Sequence, residues 1–240
     1  MIITDNTAPF KPEGVRALLF DLDDTLVLGS MAVKDQAWLK LFPRDHDKII
    51  LINKMFDKEI PFPDGTYHQG DRYDRIAYFL GLWSPESVAH REDREVKNLA
   101  LEFKRLVGVG VVEIGVRAED RTALLKLKTA LPGVDFGVIS NTPKEVLIHD
   151  LAAMGVAEFF DEVIGTPTNK VEALESFVKR LACVPNELVM IGDGSNDFQA
   201  AATVGTQFVG VIPSGKKDKW LEASFPKIST VSELPSLFIS

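Results

Sequence analysis

Apolar residues follow two distinct patterns along the chain. Val15 to Phe20 (Val-Arg-Ala-Leu-Leu-Phe) is a short, nearly continuous apolar run. It predicts a strand buried on both faces. From Val33 to about Val107 the texture changes. Apolar residues recur at three- and four-residue spacing: Trp38, Leu41 and Phe42, then Ile76, Phe79 and Leu80, then Leu99, Phe103 and Leu106. That period predicts helices with one buried face. One turn-rich stretch, Ile60-Pro61-Phe62-Pro63-Asp64-Gly65, interrupts them.

From about Val116 the two patterns alternate. The reading is helix from Glu119 to Ala130, strand from Phe136 to Ser140, and helix from Pro143 to Met154, stopped by Gly155. A strand follows within Asp161 to Gly165, then a helix from Lys170 to Ala182. Strand Leu188 to Gly192, helix Asn196 to Val204 and strand Gln207 to Ile212 complete the alternation. Lys216 to Ala223 and Val231 to Phe238 read as short helices. Such alternation predicts an α/β fold, a Rossmann-like doubly wound parallel sheet with helices on both faces. The domain reading is a core of residues 1–29 and 113–240 with an inserted α-helical cap of residues 30–112. Its joints fall at Gly29-Ser30 and near Gly108-Val109-Gly110.

Composition narrows the function classes. The chain has 240 residues, 45% of them hydrophobic, enough for one large domain or two unequal ones. A net charge of -8 speaks against nucleic acid and anionic membrane surfaces as partners. The single cysteine, Cys183, reads as a small semi-buried residue and rules out a disulfide within the chain. No apolar run reaches the length of a membrane helix, and Asp5 sits where a secretory signal would begin. The expectation is a cytoplasmic protein, monomer or homodimer.

In parallel sheets, sites form where strands end at their carboxyl termini. Four clusters occupy such places. Asp21-Leu22-Asp23-Asp24-Thr25 sets three carboxylates in four residues, costly beside a buried strand unless a cation or shifted pKa relieves them. A hard cation such as magnesium suits them, although a solvated turn explains the run equally well. Ser140-Asn141-Thr142-Pro143 brings a hydroxyl and an amide to a helix N-terminus, where free N–H groups favour an oxyanion. Plain capping by Asn141 or Thr142 is the ordinary alternative. Lys170 opens a helix, the unfavourable end of the dipole for a cation, yet an exposed lysine can bear that cost. In Gly192-Asp193-Gly194-Ser195-Asn196-Asp197, two glycines flank an acid and permit close approach of backbone to a ligand. Asp197 by itself suits an ordinary first helical turn. Singly each cluster has a bland explanation. Together the four would have to be coincidences at four ends of one sheet.

In this order the clusters resemble the motifs of the haloacid dehalogenase superfamily of phosphohydrolases. The likeness covers residues 15–28 and 117–212. Asp21-x-Asp23-x-Thr25 resembles the first motif, Ser140 the second, Lys170 the third, and Gly192-Asp193-Gly194-x-Asn196-Asp197 the fourth. The cap is similar in placement to those of phosphoglycolate phosphatase and β-phosphoglucomutase.

The resemblance implies roles. Asp21 is the nucleophile, forming an aspartyl-phosphate, and Asp23 the general acid and base. Asp21, the carbonyl of Asp23 and Asp193 hold Mg2+. Ser140, Asn141 and Lys170 bind phosphate, while Thr25, Asn196 and Asp197 support the site. Asp197 would orient Lys170 or a metal-bound water. The implied substrate is a small phosphorylated metabolite. A phosphomutase is the enzyme alternative, and a non-catalytic binding or regulatory protein on the same fold is the third reading. Within the superfamily a second acid at Asp23 favours phosphoryl chemistry over dehalogenation. Residues 57–75 of the cap collect Lys58, Tyr67, His68, Gln69, Arg72 and Arg75, able to hydrogen-bond a polar leaving group. His68 and Arg72 are the specificity candidates among them.

Overall fold

The computed structural model describes residues 10–220 and 223–239. In chain order the elements begin with β1 (Ala17–Phe20), α1 (Ser30–Leu41), α2 (His46–Phe56), α3 (Arg72–Leu80) and α4 (Arg94–Ile114). Then come α5 (Ala118–Ala130), β2 (Asp135–Pro143), α6 (Lys144–Ala153), β3 (Glu162–Thr166), α7 (Lys170–Leu181), β4 (Leu188–Gly192), α8 (Ser195–Val204) and β5 (Gln207–Val211). A two-residue strand β6 (Lys227–Ile228) and a short α9 (Pro235–Phe238) close the chain. The chain divides into two compact units. One runs to Met31 and resumes at Val111; the other is Ala32–Gly110.

The first unit holds a six-stranded sheet in the order β3-β2-β1-β4-β5-β6. Every pairing is parallel. β1 lies between β2 and β4, so the strand order reverses beside it, the place where doubly wound sheets open a crevice. All four residues of β1 are buried, as its unbroken apolar run demands. Leu19, Met190 and Phe208 from three strands pack with Phe177 and Leu174 of α7 and Phe198 of α8 in one core. The Ala32–Gly110 unit has a separate core. Trp38, Phe42, Phe56, Phe62, Ile76 and Phe103 are its large members.

Four sequence expectations need correction. The strand expected to stop at Ser140 continues to Pro143, and the helix expected from Pro143 starts at Lys144. Pro143 has extended ψ (136°) and is the residue before the helix. The segment Ser140–Pro143 stays extended because β3 holds it, with a register shift between Ile139 and Pro143. Second, the joint expected near Gly108-Val109-Gly110 does coincide with the end of the compact unit at Gly110, but it lies inside a helix and not in a loop. α4 runs through it and ends at Ile114, before Gly115 with φ +64°. Gly110 serves contact: a Cβ there would lie 2.6 Å from Val33 Cγ1. Third, 216–220 are not helical. Gly215 has φ +83°, and the Asp218 carboxylate accepts the Trp220 N–H at 2.7 Å, diverting a donor that a helix needs. The remainder of that expected helix includes residues outside the described ones. Fourth, 231–238 is a 3-10 turn, Val231–Glu233, followed by α9, which restarts at Pro235.

Gly165 on β3 fixes the neighbouring extended segment. A Cβ at this position would sit 2.3 Å from the Thr142 carbonyl and 2.7 Å from the Lys144 nitrogen, both backbone atoms. Gly165→Ala is therefore expected to cost about 2 kcal/mol or more, with the melting temperature falling by roughly 4 °C or more. A thermal melt checks this, and an unchanged midpoint would contradict the contact.

Candidate active site

The candidate site is built from loops at the carboxyl ends of β1, β2, β3 and β4. Asp21 directly follows β1 and continues its ladder, its N–H donating to Ile191 O at 2.9 Å. It is buried. Lys170, the first residue of α7, is buried as well and donates to Asp21 Oδ1 at 2.6 Å. The same ammonium donates to Asp197 Oδ1. It does not have to serve the helix end, because Asn169 does. Its side chain accepts Glu172 N–H at 3.0 Å, and Glu172 answers by accepting Asn169 N–H at 3.3 Å.

Asp197 is fully buried on the first turn of α8. Its second oxygen accepts Gly194 N–H at 2.8 Å. The two glycines around Asp193 make room for this carboxylate. A Cβ on Gly192 would fall 2.5 Å from Asp197 Cγ, and one on Gly194 would fall 2.1 Å from Asn196 Oδ1. Their close approach is thus to the loop's own side chains. Asn196 is exposed.

Asp23 is half-buried, and its backbone forms a bridge with Val27. Asp24, the third acid of the run, is structural. It has φ +50°, accepts Gly29 N–H at 2.8 Å, and donates its own N–H to Ser30 Oγ at 3.0 Å. Asx residues tolerate that left-handed backbone. Thr25 is fully buried, and its hydroxyl has no hydrogen-bond partner among the described residues. Ser140 is buried within β2, three residues before its end, and its Oγ accepts Thr142 N–H at 3.1 Å. Neither Asn141, which is exposed, nor Thr142 caps α6.

Carboxylate oxygens of Asp21, Asp193 and Asp197 lie within 4.8 Å of one another. Burial, aided by Asp197, pushes the Asp21 carboxyl well above its usual range, while Lys170 pulls the other way. Burial likewise raises Asp193, to about 6, with Lys219 opposing. Burial disfavours the Lys170 ammonium, but Asp21 and Asp197 outweigh it and hold the lysine protonated. Three acids gather here around one buried ammonium, and the only other cation near them among the described residues is the half-exposed Lys219, 3.9 Å from Asp193. An all-oxygen donor set in those surroundings suits a hard divalent cation.

A profile of the haloacid dehalogenase-like hydrolases matches residues 15–205, a span that contains all these loops. The chain belongs to this family. Over 240 aligned residues it is 26% identical to phosphoglycolate phosphatase of Shigella dysenteriae, covering 91% of this chain and 89% of that protein. With phosphoglycolate phosphatase of Salmonella paratyphi A it shares 32% identity over 219 residues, 84% of this chain and 82% of the other. A family IA hydrolase of this superfamily from Entamoeba histolytica superposes with a TM-score of 0.66. That likeness, at 14% identity over 93% of this chain and 98% of the other, concerns the fold. The chain is an enzyme, a phosphatase of this superfamily, which sets aside the non-catalytic reading.

The specificity candidates lie in the Ala32–Gly110 unit. His68 Nε2 and Thr66 Oγ1 are 2.8 Å apart, and the imidazole meets Phe62 and Trp83 edge-on, each at 5.2 Å. Arg72 is half-buried and makes no ion pair among the described residues. Arg75 is already committed, binding Asp57 through both guanidinium nitrogens at 3.1 and 2.6 Å. Cys183 is half-buried and burial raises its thiol pKa, in keeping with an inert residue. Among the described residues no helix is long and apolar enough to cross a membrane.

Proposed function

We propose that the chain hydrolyses a small phosphorylated metabolite through an aspartyl-phosphate on Asp21, in the manner of phosphoglycolate phosphatase. The observation that carries this reading is the Lys170 ammonium held between Asp21 and Asp197, with Asp193 alongside. Asp21, the Asp23 carbonyl and Asp193 would hold Mg2+, which supplies charge neutralisation between carboxylate and phosphate. The Asp21 carboxylate attacks phosphorus, and the bond to the leaving oxygen breaks. Asp23 gives that oxygen a proton, then takes one from the water that attacks the aspartyl-phosphate. Hydrolysis returns Asp21 and releases inorganic phosphate. Lys170, Ser140 and Asn141 hold phosphoryl oxygens. Asp197 orients Lys170, while Thr25 and Asn196 support the loops. Phosphoryl transfer depends mainly on such positioning and charge.

The domain division of residues 1–29 with 113–240, and a cap of 30–112, belongs to the same reading, as does a cytoplasmic setting. Chelating divalent metal is expected to abolish phosphate release from a phosphate ester, and added Mg2+ to restore it. Full activity in metal-free buffer would refute the reading.

Within the cap, His68 and Arg72 select the leaving group. Arg72 supports this by having no ion pair among the described residues, whereas Arg75 is spent on Asp57. The double change His68→Ala with Arg72→Ala is expected to lower kcat/KM about tenfold or more for a good metabolite substrate. A generic ester such as p-nitrophenyl phosphate serves as the comparison. Equal rates before and after, on both substrates, would move selection to other cap residues.

A further inference from the structure

The loop after β5 carries Lys216, Lys217 and Lys219 in a chain of net charge -8. It leaves the carboxyl end of a strand paired to β4, on the same edge of the sheet as the Asp193 loop. Its course is fixed at Trp220, which is buried and packs edge-on against Phe208 at 5.5 Å. Gly210 of β5 admits that indole, since a Cβ there would be 2.9 Å from its ring. Asp218 is used internally. It accepts Trp220 N–H at 2.7 Å and lies 3.4 Å from the Lys227 ammonium. Asp218 therefore works as an anchor.

Two of the lysines reach toward the phosphatase site. Lys219 Nζ is 3.9 Å from Asp193 Oδ2, and Lys216 Nζ is 3.9 Å from Asp24 Oδ2. Both are ion pairs longer than a hydrogen bond, so each carboxylate holds its ammonium only loosely. Their side chains are 46% and 64% exposed, in contrast to Lys170 at 7%. Lys219 also lies over the anchored Trp220 ring, 5.0 Å from its centroid, which steadies its stem. Lys170 is fully engaged by two buried acids. Lys216 and Lys219, more exposed and loosely paired, can turn to an incoming anion.

We propose that Lys216 and Lys219 form a second anion subsite, which takes a further negatively charged group carried by the phosphorylated substrate. A carboxylate or a second phosphate fits this chemistry. The inference deepens, and rests on, the reading of the Asp21 centre as a phosphatase for small metabolites. A simple counter-ion role for the two lysines makes a different forecast. It would affect every phosphate ester alike, whereas a subsite discriminates by the charge of the leaving group.

The test compares 2-phosphoglycolate with 2-hydroxyethyl phosphate, in which a neutral hydroxymethyl group replaces the carboxylate. Steady-state kinetics with Mg2+ are measured for the wild type and for Lys216→Ala combined with Lys219→Ala. The wild type is expected to prefer the charged ester. The ratio of the two kcat/KM values is expected to fall about tenfold in the double variant, chiefly through KM for the charged ester. An unchanged ratio, whether from no loss or from equal loss, overturns the subsite and leaves the phosphatase reading intact. Release of no phosphate from either ester by the wild type refutes the small-metabolite phosphatase reading and takes the subsite with it.

Discussion

Asp21→Asn is expected to reduce phosphate release at least about a thousandfold while leaving the protein folded. The amide has nearly the volume of the carboxylate, and its oxygen can still accept the bond from Lys170 at 2.6 Å. It lacks the negative charge needed to attack phosphorus, and it is a poor metal ligand. Folding should tolerate the change. Burial already works against ionised Asp21, and a neutral side chain removes that cost. Circular dichroism and a phosphate-release assay on the same preparation separate the two effects. More than a few per cent of wild-type turnover would remove Asp21 from the role of nucleophile.

Lys170→Ala should be the second most damaging change, lowering turnover by about a hundred- to a thousandfold. Two losses combine. A donor to the transferring phosphoryl group disappears, and Asp21 is left facing Asp197 without the cation that pulls its pKa down. Stability falls as well, because breaking a buried pair strands its carboxylates, typically at about 3–5 kcal/mol. Activity is therefore compared at a temperature where a melt shows the variant folded. Lys144 is the control. It is exposed on the first turn of α6, and Lys144→Ala should stay within about twofold of wild type. The opposite outcome, with Lys144 essential and Lys170 dispensable, would reverse the assignment.

The parts of the fold legible in the sequence share one physical cause. Asp21, Ser140 and Asp193 each follow a short apolar run that is buried in the sheet, so hydrophobic pattern alone marks where the site loops begin. Lys170 was legible through its place at the start of a strongly amphipathic helix, Lys170–Leu181. Local pattern failed where distant contacts decide the backbone. Asn141 to Pro143 are extended because β3 runs beside them, and no local signal announces that. The helix through Gly110 was not legible either, because the partner that its missing side chain admits, Val33, is far away in the chain. The lysines after β5 read locally as part of a short helix. The Pro213-Ser214-Gly215 turn was the available signal. His68 and Arg72 stand apart, since nothing in the cap pattern separates a recognition residue from a helix face.

The placement of β1 carries a consequence for biosynthesis. Ala17 pairs with Asp135 on one side and Leu188 on the other, and both flanks are made long after it. At roughly 5–20 residues per second, the ribosome takes about 6–24 seconds to reach the first partner. During that interval a wholly apolar strand has emerged with both edges open, a hazard for aggregation. The residues synthesised meanwhile include Ala32–Gly110, which have a core of their own to collapse into. That interval is when chaperones that shield short apolar segments would have most to do.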